Sequence, residues 1–314
     1  MSIPVVDLSH FSLGDDSQRK TFVNELGHAY ETVGFVAVKN HGIPETLIDG
    51  LYQYVQEFFS LPVNQKLQYE IPGLAGQRGY TSFGREHAKG SDAPDLKEFY
   101  QFGQTVENDD PVKAEYPDNV AVAEVPQLAP TLLSTYRNFE NSGRALLKAI
   151  ALYLELDENY FEPHVVNGNS ILRAIHYPPI THEPASAIRA EQHEDINLIT
   201  LLVGASAEGL QILSKQGEWV AVTALPGQIV VNVGDMLQRL TNDRLRSTTH
   251  RVVNPPREKW GTSRFSIPFF LHPKGNMSLA CLPNCIDESH PKQYPDATAG
   301  EYLDERLREI GLKK

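Results

Sequence analysis

Residues 190–200 have the sequence AEQHEDINLIT, in which His193 and Asp195 stand two positions apart and a branched apolar run follows. Side chains alternate between the two faces of a β-strand, so residues i and i+2 point the same way. If this segment is extended, an imidazole and a carboxylate look into the same space. Such a pair is either a buried ion pair or two of the three protein ligands of a metal site.

A third ligand is offered by His250, which lies in the strand-like run STTHRVVN, 55 positions after Asp195. Two histidines and one carboxylate on one side of an ion leave the opposite coordination positions open. That arrangement suits iron(II), which must bind a co-substrate and dioxygen as well as protein. The pattern therefore predicts His193, Asp195 and His250 as metal ligands, with a buried ion pair and a spectator histidine as the alternative.

A second pair at strand spacing follows in SRFSIPFF, where Arg264 and Ser266 share a face. A guanidinium fork binds a carboxylate in bidentate fashion, and a hydroxyl adds a further hydrogen bond. An arginine that points into a β core is costly without an anionic partner. We therefore expect Arg264 and Ser266 to bind the carboxylate of a small molecule, with the phenol of Tyr177 assisting.

Composition limits the classes of partner. The 314 residues carry 28 Lys and Arg against 40 Asp and Glu, a formal charge of −12, and this predicts no nucleic-acid partner. No apolar stretch approaches the roughly 20 residues that span a bilayer, so no membrane partner is expected. The opening MSIPVVDLSH does not resemble a secretory signal, and the two cysteines, in CLPNC, are expected to be free thiols. We therefore expect a cytoplasmic protein, with its oligomeric state left open.

Residue patterning predicts a mixed α+β fold with a mainly β core. Helical periodicity dominates the first 160 residues, whereas short β-branched and aromatic runs at about ten-residue spacing follow residue 168. The segments with many turn and charged residues in the 60s to 120s are expected to hold loops near the mouth of a site. The predicted divisions are an N-terminal helical and mixed region (1–125), a long packing helix and linker (126–167), a catalytic core (168–274) and a C-terminal segment with a helix (275–314).

Taken in order, HED, HRVVN and RFS resemble the iron(II)- and 2-oxoglutarate-dependent oxygenases of the isopenicillin N synthase-like family. IPVVDLS, GFVAVKNHGIP and RGYTSFG resemble the N-terminal region of that family. The resemblance implies a double-stranded β-helix (jelly roll) with a helical N-terminal lobe and a C-terminal helix. It also implies that His193, Asp195 and His250 hold Fe(II), and that Arg264, Ser266 and Tyr177 hold 2-oxoglutarate.

The implied reaction couples O2 and 2-oxoglutarate decarboxylation to hydroxylation, desaturation or ring closure of a small molecule. Two alternatives remain open: an isopenicillin N synthase-type oxidase that uses the arginine–serine pair for its own substrate, and a catalytically silent jelly-roll binding module. By position within the family pattern, substrate contacts are expected at Arg78, Tyr80, Arg85 and Phe269.

Overall fold

The computed structural model describes residues 3–74, 76–86, 94–107, 109–184, 187–204, 208–223 and 225–309 of the chain. Its helices in this part of the chain are α1 (Leu8–Ser12), α2 (Asp16–Thr32), α3 (Glu45–Ser60), α4 (Val63–Lys66), α5 (Leu128–Tyr153), α6 (Glu162–Val165), α7 (Asp235–Leu240) and α8 (Ala299–Glu309).

The strands alternate with these helices and dominate the second half of the chain. They are β1 (Val5–Asp7), β2 (Phe35–Lys39), β3 (Gly79–Thr81), β4 (Glu98–Gly103), β5 (Ile171–Tyr177), β6 (Ala190–His193), β7 (Ile199–Val203), β8 (Leu210–Leu213), β9 (Trp219–Ala221), β10 (Gln228–Val233), β11 (His250–Val252), β12 (Arg264–Ser266) and β13 (Pro268–Leu271).

Two sheets face each other, as the jelly-roll prediction requires. The larger sheet has the strand order β1-β2-β10-β7-β13-β5-β4-β3, and β12 pairs with β5 beside this path. The smaller sheet has the order β6-β11-β8-β9. Most neighbours in both sheets are antiparallel and distant in sequence, so residues far apart along the chain meet across the space between the sheets.

The long helix α5 covers the outer face of the larger sheet. Its apolar stripe recurs at helical spacing, as predicted, and is buried at Tyr136, Phe139 and Ile150. Gly143 stands where the helix crosses β13, and a Cβ atom there would lie 2.3 Å from Leu271 Cδ1. Close approach of helix and sheet therefore requires a residue without a side chain at this position.

The region between α4 and α5 differs from the expectation of loops. It contributes β3 and β4, and β4 pairs with β5 along its whole length, from Glu98 opposite His176 to Gly103 opposite Ile171. All six residues of β4 are buried. The N-terminal part of the chain thus supplies an inner strand of the larger sheet and one wall of the space described below.

Cys281 and Cys285 are both free thiols, as expected. In the described segments, no helix combines the length and the apolar character needed to cross a membrane.

Candidate functional site

The three predicted metal ligands converge at one end of the smaller sheet. His193 ends β6 and His250 begins β11, and antiparallel pairing places these two residues opposite each other. Asp195 follows β6, where the chain leaves the smaller sheet for β7. Asp195 Oδ1 lies 3.9 Å from Nε2 of His193 and 3.7 Å from Nε2 of His250. The three ligand atoms all lie within 4.8 Å of one another, which makes the three residues a candidate metal site.

Hydrogen bonds of the two imidazoles leave the same ring nitrogen facing Asp195. Nδ1 of His193 bonds to the Glu191 carbonyl at 2.7 Å, and Nδ1 of His250 bonds to the Thr248 carbonyl at 3.0 Å. Because a carbonyl oxygen only accepts, both Nδ1 atoms carry a proton, and Nε2 is the nitrogen that each neutral ring would offer to a metal. Burial, followed by the charge of His250, lowers the pKa of His193 to about 4, so this ring is neutral at neutral pH. The donor set therefore fits a divalent metal, and its two-histidine, one-carboxylate composition fits iron(II).

Asp195 is oriented by two side chains behind it. Its Oδ2 atom accepts hydrogen bonds from the Thr200 hydroxyl at 2.6 Å and from the Asn232 amide at 2.8 Å. Burial alone would raise the pKa of Asp195, but His250, His193 and these hydrogen bonds together hold it below its ordinary value. The carboxylate is therefore ionised, with Oδ1 directed at the histidines. Asn232 lies near the end of β10, and its position in the sequence carries no signal of this contact.

The predicted carboxylate-binding residues lie on paired strands of the larger sheet. Arg264 stands directly opposite Tyr177, and Ser266 stands opposite Ile175. Arg264 is 1% exposed, and its guanidinium carbon lies 4.9 Å from the centre of the Tyr177 ring. Ring and cation therefore support each other, which fixes the position of the guanidinium group.

Arg189 is a second buried cation at this place, and it is absent from the predicted site residues. It is 2% exposed, its guanidinium carbon lies 5.9 Å from the centre of the Tyr177 ring, and it donates to the Thr262 carbonyl at 3.0 Å. Burial and the nearby charge of Arg264 lower the pKa of Arg189 to about 10. Since Arg189 precedes His193 by only four positions, its charge next to the metal-binding stretch was the available signal. The two arginines together favour an anionic ligand.

A cavity of about 210 Å³ lies between the two sheets and contains both groups of residues. This volume is smaller than the roughly 300–1,000 Å³ of typical small-molecule sites, so the cavity favours small ligands. One rim is formed by α8. The cavity lining includes the three metal-ligand candidates together with Tyr177, Arg264, Ser266, Arg173, Gln101, Glu86, Lys97, Asp95, Phe270, Leu303 and Leu307.

The cavity is also lined by charged side chains that are likewise absent from the predicted set. Arg173 pairs with Glu86 at 3.2 Å and donates from Nε to Gln101 at 2.8 Å. Lys97 pairs with Glu86 at 2.6 Å and with Asp95 at 2.7 Å. Burial would raise the pKa of Glu86, but Arg173 and Lys97 lower it to about 2. Side-chain alternation along β5 was the signal that could have identified its arginine.

The substrate contacts expected at Arg78, Tyr80 and Arg85 lie outside the cavity lining. Arg78 is buried against Gly103. Tyr80 lies in the main core and hydrogen-bonds to Glu98, and Arg85 has a side chain that is 65% exposed. The substrate contacts expected at these three residues therefore stay a prediction, since none of the three lines the described cavity.

Phe269, the fourth expected substrate contact, also lies outside the cavity lining. This residue is fully buried under α5, stacked on Phe139 with a ring-centre distance of 5.5 Å and in edge contact with Tyr136. Alternation counted from Ser266 assigns even positions to the cavity, so Phe270 lines it instead.

Two segments of the chain match models of known protein families. Residues 3–124 match the family model described as non-haem dioxygenase in morphine synthesis N-terminal, and residues 168–273 match the 2OG-Fe(II) oxygenase superfamily.

Individual proteins match almost end to end. A 2-oxoglutarate-Fe(II) type oxidoreductase, hxnY, from Emericella nidulans is 30% identical over 96% of this chain and 88% of its own length. A crystal structure assigned to the 2OG-Fe(II) oxygenase family, from Caulobacter crescentus, is 42% identical with a TM-score of 0.88 and covers 98% of this chain and 99% of that chain. A full-length Neurospora crassa protein crystallised in complex with alpha-KG and thymine is 33% identical with a TM-score of 0.83 and covers 98% of this chain and 96% of that chain.

Proposed function

The chain belongs to the 2OG-Fe(II) oxygenase superfamily and is an iron(II)- and 2-oxoglutarate-dependent dioxygenase of small molecules, and from this premise we propose which of its residues perform the reaction. His193, Asp195 and His250 hold the iron. Arg264 and Ser266, supported by Tyr177, hold the distal carboxylate of 2-oxoglutarate. The observation that carries this assignment is the convergence of three ligand atoms on one point at the cavity wall.

Each residue has a separate task. The two imidazoles are oriented by their Nδ1 hydrogen bonds, which direct Nε2 of each ring at the proposed metal position. Asp195 contributes one negative charge and is held in place by Thr200 and Asn232. Because all three ligands lie on one side, the opposite side is left to the cavity.

Bound iron(II), with 2-oxoglutarate and O2, supplies oxidative decarboxylation to succinate and carbon dioxide together with oxidation of the substrate. The protein's contribution is binding and orientation. Arg264 fixes one end of the keto acid by charge and by a bidentate fork, and the opposing sheets limit access of water.

The family comparisons favour this activity over the isopenicillin N synthase-type oxidase and over the silent binding module. Hydroxylation, desaturation and ring closure are all compatible with the geometry. The thymine held by the Neurospora crassa protein sets a size standard, and we propose a small heterocycle of similar dimensions as substrate for this chain.

Further assignments are part of the same proposal. We assign N-terminal wall (1–125), packing helix (126–167), catalytic core (168–274) and covering C-terminal segment (275–314) as functional divisions. The net charge of −12 and the two free thiols support a cytoplasmic enzyme without a nucleic-acid or membrane partner.

The test uses the iron-reconstituted protein with labelled 2-oxoglutarate. We expect wild-type protein to form succinate, and His193→Ala to lose at least about 100-fold of that rate and of its iron(II) affinity. His28→Ala, an exposed histidine on α2, is the control and is expected to behave as wild type. Equal succinate formation by His193→Ala and wild type would refute the ligand assignment.

A further inference from the structure

The strand β5 presents a third group to the cavity besides Tyr177 and Ile175. Residues 171, 173, 175 and 177 share one face, so Arg173 points into the same space as Tyr177. Tyr177 lies opposite Arg264 in the proposed 2-oxoglutarate site. Arg173 lies four residues away on the same strand, beyond the reach of that carboxylate. Arg173 is therefore a candidate contact for a ligand other than 2-oxoglutarate.

The guanidinium group of Arg173 is held in a fixed orientation. Its Nε donates to Gln101 Oε1 at 2.8 Å, and its Nη1 lies 3.3 and 3.2 Å from the two oxygens of Glu86. Its central carbon lies 4.2 Å from the Phe99 ring centre and 5.2 Å from that of Phe270. The hydrogen bonds formed with described residues do not use Nη2. The donor is thus oriented before any ligand arrives.

Charges around Arg173 already cancel. Two cations, Arg173 and Lys97, face two carboxylates, Glu86 and Asp95, through contacts of 2.6 to 3.2 Å. An additional anion or cation would enter a buried space with no counter-charge left to it, which is unfavourable. An uncharged acceptor would receive a charge-assisted hydrogen bond without disturbing these pairs.

We propose that Arg173 is the substrate-recognition residue and that it takes an uncharged ring carrying a carbonyl acceptor, such as a cyclic amide or imide. This proposal rests on the proposed function, since it places the substrate beside the iron ligands and the keto acid. Phe270 covers one face of the ring, and Gln101 and Glu86 keep the guanidinium edge directed at the carbonyl oxygen.

The experiment measures binding rather than turnover. Manganese(II)-loaded protein saturated with 2-oxoglutarate is titrated calorimetrically with two pairs of probes: uracil against orotate, and 2-pyrrolidinone against L-proline. In each pair a neutral ring is compared with a charged relative. We expect the neutral member to bind more tightly. Arg173→Met is expected to weaken its binding about tenfold or more, and Arg173→Lys by a similar amount, because a single ammonium cannot bond to Gln101 and Glu86 and also present the Nη2 donor.

Two further variants make the result interpretable. Arg173→Met alone leaves Glu86 in the cavity without its arginine partner. The double variant Arg173→Met, Glu86→Gln removes that unpaired charge, and we expect it to show the same loss of affinity for the neutral probes. Arg244→Met is the matched control, since Arg244 also pairs with a glutamate (Glu31, 2.8 Å) and lies over a tyrosine ring (Tyr153, 5.1 Å). We expect Arg244→Met to bind the neutral probes as wild type does.

Tighter binding of orotate or L-proline, no binding of either neutral probe, or unchanged affinity in both Arg173→Met proteins would overturn the proposal. Failure of the proposed function has a different signature, because then the wild-type protein takes up no 2-oxoglutarate in the preceding titration. Retained 2-oxoglutarate binding by the Arg173 variants shows that their sites are folded.

Discussion

Two guanidinium groups lie beside one phenol ring at the end of the cavity where we propose that 2-oxoglutarate binds. Arg264 and Arg189 lie 4.9 and 5.9 Å from the centre of the Tyr177 ring. Their mutual repulsion contributes to the lowered pKa of Arg189. An anion bound nearby would relieve that repulsion, so the pair favours a ligand with a carboxylate at this end of the cavity.

At this scale we predict that Arg189→Met weakens 2-oxoglutarate binding by roughly three- to tenfold, since one of two nearby cations is lost. Calorimetry with the manganese(II)-loaded protein measures the affinity for 2-oxoglutarate. Arg239→Met is the matched control, because Arg239 also donates to a backbone carbonyl, that of Pro295, and lies near tyrosine rings. If both variants bind 2-oxoglutarate equally well, Arg189 has no role in the site.

The strand β5 separates two polar systems on its opposite faces. One face carries the cavity residues, and the other carries His176, which lies 2.7 Å from Glu98. Glu98 also pairs with Lys66 at 2.8 Å and accepts a hydrogen bond from Tyr80. This cluster ties β4 and β5 to α4, so the strand that carries Arg173 is anchored from behind.

At the scale of this element we predict that Glu98→Gln destabilises the fold by about 3 kcal/mol at neutral pH, because Lys66 is left buried without its counter-charge. Burial alone would raise the pKa of Glu98, but the hydrogen bonds from His176, Lys66 and Tyr80 hold it below its ordinary value of 4.5. Its stabilising contribution is therefore complete above that pH and is lost as the pH falls through the lowered pKa.

Urea unfolding of wild type and variant across this pH range is the measurement. The difference in unfolding free energy should shrink as the solution becomes more acidic. Glu124→Gln is the control, an exposed carboxylate that also hydrogen-bonds to a tyrosine, Tyr69. We expect it to change stability little at any pH. A gap that widens on acidification would contradict the assignment.

The strand β4 also explains why part of the fold was not predictable. Its segment EFYQFG places Glu98 on one face and Gln101 on the other, and both are buried because each face has polar partners. A two-sided buried strand with internal charges gives no alternation between apolar and polar residues. The runs after residue 168 and the helices α2, α3 and α5 follow simple periodicity, and their prediction is confirmed.

Only part of the candidate site could be predicted from the sequence. Convergence of His193, Asp195 and His250 followed from residue types and strand spacing, and so did the shared face of Arg264 and Ser266. The charged cavity lining was not predictable in the same way, because its central arginine–glutamate pair joins residues 87 positions apart and only the strand order brings them together.

At the scale of the whole molecule, the cavity joins both sheets and α8. A ligand bound in the cavity should stabilise the folded protein, since unfolding separates the two sheets and α8 and so destroys the binding site. We predict that 2-oxoglutarate at about 100 times its Kd, added to the manganese(II)-loaded protein, stabilises the fold by about 2.7 kcal/mol and raises the Tm by about 5 °C.

Thermal denaturation with and without each ligand checks this expectation. In Arg264→Met, manganese(II) should still raise the Tm as it does in wild type, whereas 2-oxoglutarate should no longer raise it. An equal 2-oxoglutarate increment in that variant would mean that the keto acid is held elsewhere.

The shared face of β5 also has a consequence for how such an enzyme could change its preference. Four residues of strand, about 13 Å, separate Arg173 from Tyr177. The strand spacing thus sets the distance between the proposed substrate-recognition residue and the proposed 2-oxoglutarate site. Replacing side chains at 173 and 270 offers an engineer, or a duplicated gene, a route to new molecules that leaves the oxidising machinery untouched.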